Sequence, residues 1–125
     1  MQKIYKSGTN RGNRRVWIEG AALLDHQWTR GMPFSKSRVL SGLTHKAYPD
    51  QDGKAMVLIP QRTKRPANAE PVKRWHKVAG TDKRPIIDLN GAYLNDLFGS
   101  CTHFKATISR DWIAIQPCNE EGLAQ

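Results

Sequence analysis

Val16-Trp17-Ile18-Glu19-Gly20-Ala21-Ala22-Leu23-Leu24-Asp25 and Ile87-Asp88-Leu89-Asn90-Gly91-Ala92-Tyr93-Leu94-Asn95-Asp96 carry one pattern twice. At an offset of 71 residues, Gly20/Gly91, Ala21/Ala92, Leu23/Leu94 and Asp25/Asp96 are identical. Val16/Ile87 and Ile18/Leu89 are similar. Self-similarity at a fixed spacing is the signature of a repeated supersecondary unit. The order of elements around the two stretches decides whether the match means anything.

Outward from each stretch the same order recurs. A short apolar run predicts a strand over 15–18 and another over 85–89, where Pro85 suits a strand start. A helix follows over 21–27 and over 92–98. Ala21, Leu24 and Trp28 share a helical face, as do Tyr93, Leu94, Leu97 and Phe98. Gly31 and Gly99 lie near the expected helix ends. Two strands close each copy. In the first they span 34–43 and 55–59, joined by a turn at Pro49-Asp50-Gln51-Asp52-Gly53. In the second they span 103–108 and 112–116, joined at Ser109-Arg110-Asp111. The closing strands end at Pro60 and Pro117.

A unit of about 40 residues buries too little apolar surface to fold alone, so two copies are expected to share a core. The expected architecture is a single α+β domain. Two tandem strand-helix-strand-strand units, 15–61 and 85–118, pack into one small, partly open β-barrel. Residues 1–14 are expected as a flexible basic arm, 62–84 as a basic linker and 119–125 as an acidic tail.

The 125 residues contain 20 Lys+Arg against 11 Asp+Glu, a net charge of +9. Residues 1–15 hold five cations and no acid, and residues 62–84 hold eight cations and two acids. Residues 85–125 hold two cations and five acids. Such a chain points first to a polyanion, with nucleic acid ahead of membrane. No apolar run approaches the ~20 residues of a membrane span, and the N-terminus lacks the apolar core of a secretory signal. The two cysteines, Cys101 and Cys118, are too few for a disulfide framework or a four-cysteine zinc site. A reduced, cytoplasmic protein is expected.

The basic segments are either solvated, solubilising stretches or phosphate-neutralising arms. On the second reading, Arg11, Arg14 and Arg15 enter a minor groove from the arm. Arg62, Lys64, Arg65, Lys73, Arg74 and Lys77 track the backbone. Trp75 either stacks on a base or packs back onto the core. Arg30, Lys36 and Arg38, at the helix-to-hairpin junction of the first unit, are the candidates for contacts made by ordered structure.

The second half, from Ile87-x-Leu89-x-Gly91-x-Tyr93-Leu94 through the helix to Phe98 and the alternating Phe104–Ile108 and Trp112–Ile115 runs, resembles the SymE toxin family of the SpoVT/AbrB-like swapped-hairpin superfamily. The first half is similar through Val16-x-Ile18-x-Gly20 and Arg30-Gly31-Met32-Pro33. The resemblance implies a nucleic-acid-binding barrel of two interleaved units, here carried in tandem by one chain. Members include transcriptional regulators, antitoxin DNA-binding domains and toxins linked to RNA cleavage or nucleoid binding. The net acidic second unit departs from a symmetric DNA-binding dimer.

Chemistry-bearing residues are sparse. Cys101-x-His103 lacks the further ligands of a zinc site. His45, His76, Arg74 and Glu70 are conceivable as the base, acid and cation of a metal-independent nuclease, or are ordinary surface residues. No catalytic residue, metal or cofactor is assigned. The leading expectation is a DNA-binding regulator or nucleoid-binding factor, with DNA favoured over RNA. The alternatives are a SymE-like toxin acting on RNA and an inhibitor occupying a partner's nucleic-acid channel. No membrane partner is expected, and the chain is expected as a monomer with an internal pseudo-dimer or as a homodimer.

Overall fold

A computed structural model describes residues 1–38, 55–65 and 69–122, and the side chain of Arg38 lies outside this description. Ten strands and two short helices are described, in the order β1 (Gln2–Lys6), β2 (Gly8–Asn10), β3 (Asn13–Glu19), α1 (Ala21–Asp25), β4 (Pro33–Arg38), β5 (Met56–Pro60), β6 (His76–Lys77), β7 (Ala79–Gly80), β8 (Pro85–Asn90), α2 (Ala92–Phe98), β9 (His103–Ile108) and β10 (Ile113–Cys118). They form two antiparallel sheets, ordered β1-β9-β10-β5-β4-β6 and β2-β3-β8-β7. The molecule is therefore mostly β. Its sheets remain separate among the described residues and do not close into the barrel expected above.

Side-chain alternation sets the inner faces. Along β9, Phe104, Ala106 and Ile108 are buried while the residues between them are half-buried, the period of two that a strand imposes. On β3 and β8, Val16, Ile18, Ile87 and Leu89 point inward, paired Val16 with Leu89 and Ile18 with Ile87. With Leu23, Leu94, Leu97 and Phe98 of the helices they form one core between the sheets. All five residues of β5 are buried, because it lies inside the six-stranded sheet and its second face is covered as well. Ser35, Ser37, Val57 and Ile59 are buried on that second face, where the Glu70 amide donates to Ser37 Oγ at 3.0 Å.

The strand-helix-strand-strand order occurs twice, and the repeat extends further upstream than the sequence analysis placed it. β1 and β2 correspond to β6 and β7, so the arm and the linker are the same pair of strands in the two halves. Residues 2–6 are not a flexible arm. They pair with β9 along five positions, from Gln2 opposite Thr107 to Lys6 opposite His103. The rest of the expected arm holds a hairpin between β2 and β3 with a two-residue turn, with Arg11 at φ 52° and Gly12 at φ 83°. Consecutive positive φ values are what such a turn needs, and Asn and Gly flank or supply them. In the linker, β6 pairs with β4, and β7 pairs with β8.

Each half lends its first strand to the other half's hairpin. β1 borders β9, and β6 borders β4. The result is an internal two-fold. It passes between Trp17 and Asp88, which pair across β3 and β8, and between Val57 and Ala114, which pair across β5 and β10. The aromatic core obeys it. Tyr5 stacks on Phe104 with centroids 5.3 Å apart, and Phe98 meets the same ring edge-on at 6.0 Å. In the other half His76 stacks on Phe34 at 5.4 Å, and Trp28 meets that ring edge-on at 6.0 Å.

The helices need one correction. α1 stops at Asp25, and Gln27 takes φ 64°. Ala21 and Leu24 are consequently exposed, and Leu23 is the residue that α1 buries. Five residues make little more than one turn, too few for the face shared by Ala21, Leu24 and Trp28 to be laid down. The invariance of Gly20 and Gly91 between the halves has a backbone cause. Each precedes its helix, at φ 110° and φ 142°, a region that residues with a Cβ avoid.

Candidate nucleic-acid interface

The two-fold redistributes the charge. Divided at the offset of 71, residues 1–71 hold thirteen cations and five acids, and residues 72–125 hold seven cations and six acids. The second unit loses its net acidity once its first strands, counted above as linker, are included, though the first half carries most of the net charge. Lys3 and Lys6 stand on β1, at one outer edge of the six-stranded sheet. Lys73, Arg74 and Lys77 stand on or just before β6, at the opposite edge. All five are exposed. Six strands at about 4.8 Å spacing separate these edges by roughly 24 Å along the hydrogen-bonding direction.

Lys6 and Lys77 are identical and occupy equivalent places, opposite His103 and Pro33. Sequence reasoning left Lys3 and Lys6 out of the site. The signal was present: carried upstream, the offset of 71 aligns Lys3 with Arg74 and Lys6 with Lys77.

The other proposed residues divide into free and engaged. Arg11 is exposed at the tip of the β2–β3 turn, Lys64 is exposed, and Trp75 is 42% exposed, which settles its place outside the core. Arg14 donates to Ser7 Oγ at 3.3 Å. Arg15 makes a two-point contact with Asp88, at 2.8 and 2.9 Å, and its guanidinium lies 4.5 Å from the exposed Trp17 ring. The hydrogen bond to Asp88 holds Arg15 more firmly in its charged form. Arg30 pairs with Asp82 at 3.0 Å in solvent. Arg38 ends β4, opposite Met56.

Arg62 and Arg65 have work within the fold. Arg62 donates to the carbonyl oxygens of Gln27 at 2.7 Å, His26 at 3.3 Å and Arg110 at 2.5 Å. It thereby ties the end of α1 to the β9–β10 turn. Arg65 donates to the Glu70 carbonyl. Three charge-assisted bonds at a partly solvated site are worth roughly 1–2 kcal/mol together once screened. Arg62→Ala is expected to lower stability by about that amount in urea unfolding and to leave duplex affinity nearly unchanged. A large loss of affinity with unchanged stability would return Arg62 to the interface.

One concentration of titratable groups lies where β4, β6 and α2 meet. Lys36 Nζ is 3.2 Å from the centroid of the Tyr93 ring. Burial, then Arg74, pushes the Lys36 ammonium below the usual lysine range, while Glu70 opposes this. Burial, then Lys36 and Arg74, lowers His76. Burial pushes the Tyr93 hydroxyl up to about 12. Arg74, His76 and Glu70 are three of the nuclease candidates from the sequence, and the fold brings them together around Lys36. His45 lies outside the described residues.

Cys101 and Cys118 are buried free thiols. Among the described residues no group of three or more His, Cys, Asp and Glu side chains is placed to hold a metal ion. No described helix is long and apolar enough to cross a membrane. The chain matches no family model, no curated protein and no solved structure.

Proposed function

We propose that this protein binds nucleic acid, duplex DNA before RNA, by laying its two basic sheet edges on backbone phosphates. The observation that carries the reading is the equivalence of those edges under the internal two-fold. A duplex backbone has local two-fold symmetry, and a single chain with two equivalent basic edges matches it without dimerising. Arg11 and Lys64 add exposed charge, and Trp17 and Trp75 supply exposed rings that can stack or wedge. The exchange of edge strands between the halves also supports reading the chain as a single-chain relative of the swapped-hairpin regulators, with its two sheets in place of their barrel.

A second reading is favoured by His76. An imidazole held neutral beside Lys36 and Arg74 has the parts of a base and phosphate ligands for RNA cleavage without a metal. One titration separates the two: fluorescence anisotropy of the full chain against duplex DNA and structured RNA at several salt concentrations. Tighter DNA binding, with a log–log salt slope of about −0.9 per phosphate neutralised, is expected. RNA that shortens during the titration would transfer the reading to the toxin class. Absence of binding to both would overturn the proposal and point to a protein partner.

A further inference from the structure

The internal two-fold supplies a control within the molecule. Around Phe104 the edge position is Tyr5, the next inward position on the hairpin is Ala106, and Lys3 lies opposite that alanine. Ala22 on α1 is the fourth member. These residues show what the fold requires there: a stacked ring, a small buried side chain and one cation near solvent. Ala106 is fully buried.

The equivalent positions around Phe34 are His76, Lys36, Arg74 and Tyr93. Arg74 lies two residues before β6, and its charge acts on both Lys36 and His76. Where one half has one cation beside an alanine, the other has two cations close enough to repel. Like charges held near one another are destabilising. Neither Lys36 nor Arg74 is in any ion pair among the described residues. His76 Nε2 is buried and has no hydrogen-bond partner. The Tyr93 ring, absent from the other half, holds the Lys36 ammonium in place. Packing explains none of these replacements, since the other half packs without them.

We propose that Lys36, Arg74 and His76, gathered beside Tyr93, anchor one phosphate of a bound nucleic-acid strand. This rests on the nucleic-acid reading above and names the point on the β6 edge where the strand is fixed. An anionic oxygen between Lys36 and Arg74 relieves their repulsion and gives the His76 nitrogen a partner. Two cations and a ring N–H suit a phosphodiester, whose two non-bridging oxygens share a full negative charge and accept several hydrogen bonds. Trp75, exposed beside them, is then placed to stack on the adjoining base or sugar.

The test is the salt-dependent affinity for a short fluorescent duplex of wild type, Lys36→Ala, His76→Tyr and, as a control, Lys83→Ala in the β7–β8 turn. Lys36→Ala and His76→Tyr install the residues that the other half uses, so both variants are expected to fold, as thermal unfolding will show. Lys36→Ala is expected to weaken binding about tenfold and to reduce the magnitude of the salt slope by about 0.9. His76→Tyr keeps the stack and is expected to weaken binding severalfold, with Lys83→Ala near wild type. If wild type binds and Lys36→Ala keeps its affinity and slope, the anchor is wrong and the general reading stands. If wild type does not bind, both fall.

Discussion

Trp28→Ala is expected to cost about 4 kcal/mol of folding stability, the middle of the range for truncating a buried Phe or Trp. Trp28 is fully buried. It meets Phe34 edge-on, and its indole N–H donates to the Ser109 carbonyl at 2.7 Å. The substitution removes a large apolar volume, and it also leaves the Ser109 carbonyl without that donor. The site cannot collapse easily, because Phe34 is also held by His76 on its other side. A domain of this size has a total stability of about 5–15 kcal/mol, so the variant should be partly unfolded near physiological temperature. Urea unfolding followed by circular dichroism measures this. A loss below about 1 kcal/mol would mean that Trp28 does not anchor the core.

Reversing both equivalent edge charges, Lys6→Glu with Lys77→Glu, is expected to weaken duplex binding by about two orders of magnitude at low salt. Each reversal removes a phosphate contact and adds a repulsion. Both side chains are exposed, so the fold should tolerate the changes and the melting temperature should move little. The defect should shrink as salt rises, because screening weakens attraction and repulsion alike. Binding that survives the double reversal at low salt would exclude the sheet edges as the contact surface.

The repeat was legible where its pattern is dense. Gly20 and Gly91 mark the same backbone requirement, and the alternating runs at 87–89 and 103–108 gave strands close to those observed. Legibility failed upstream. β6 and β7 have two residues each, too short for any hydrophobic period to register. β1 carries only Ile4 and Tyr5 among polar neighbours, and Ile4 is exposed. Partners across the sheet fix these strands, and no local pattern encodes a partner about a hundred residues away, such as Thr107 for Gln2. The first hairpin is also longer than the second, so the offset that aligns the early strands does not align the last ones.

The candidate site was half legible for the same reason. Charge alone located residues 62–84 but could not separate Arg62, which braces α1, from Lys77, which stands free. Lys36 was identified from its place at a junction. Its closeness to Arg74 depends on the exchange of β6 into the first hairpin, which only the pairing of Phe34 with His76 reveals, and its contact with Tyr93 depends on where α2 packs.

On the proposed function the two edges act as equivalents on one phosphate backbone. The most direct measurement is the log–log salt slope of duplex affinity for Lys6→Ala, Lys77→Ala and the double variant. The internal two-fold predicts that each single change reduces the slope by about 0.9 and that the double change reduces it by about twice as much. A full reduction from one variant and none from the other would contradict it, because one edge alone would then be in contact with the duplex.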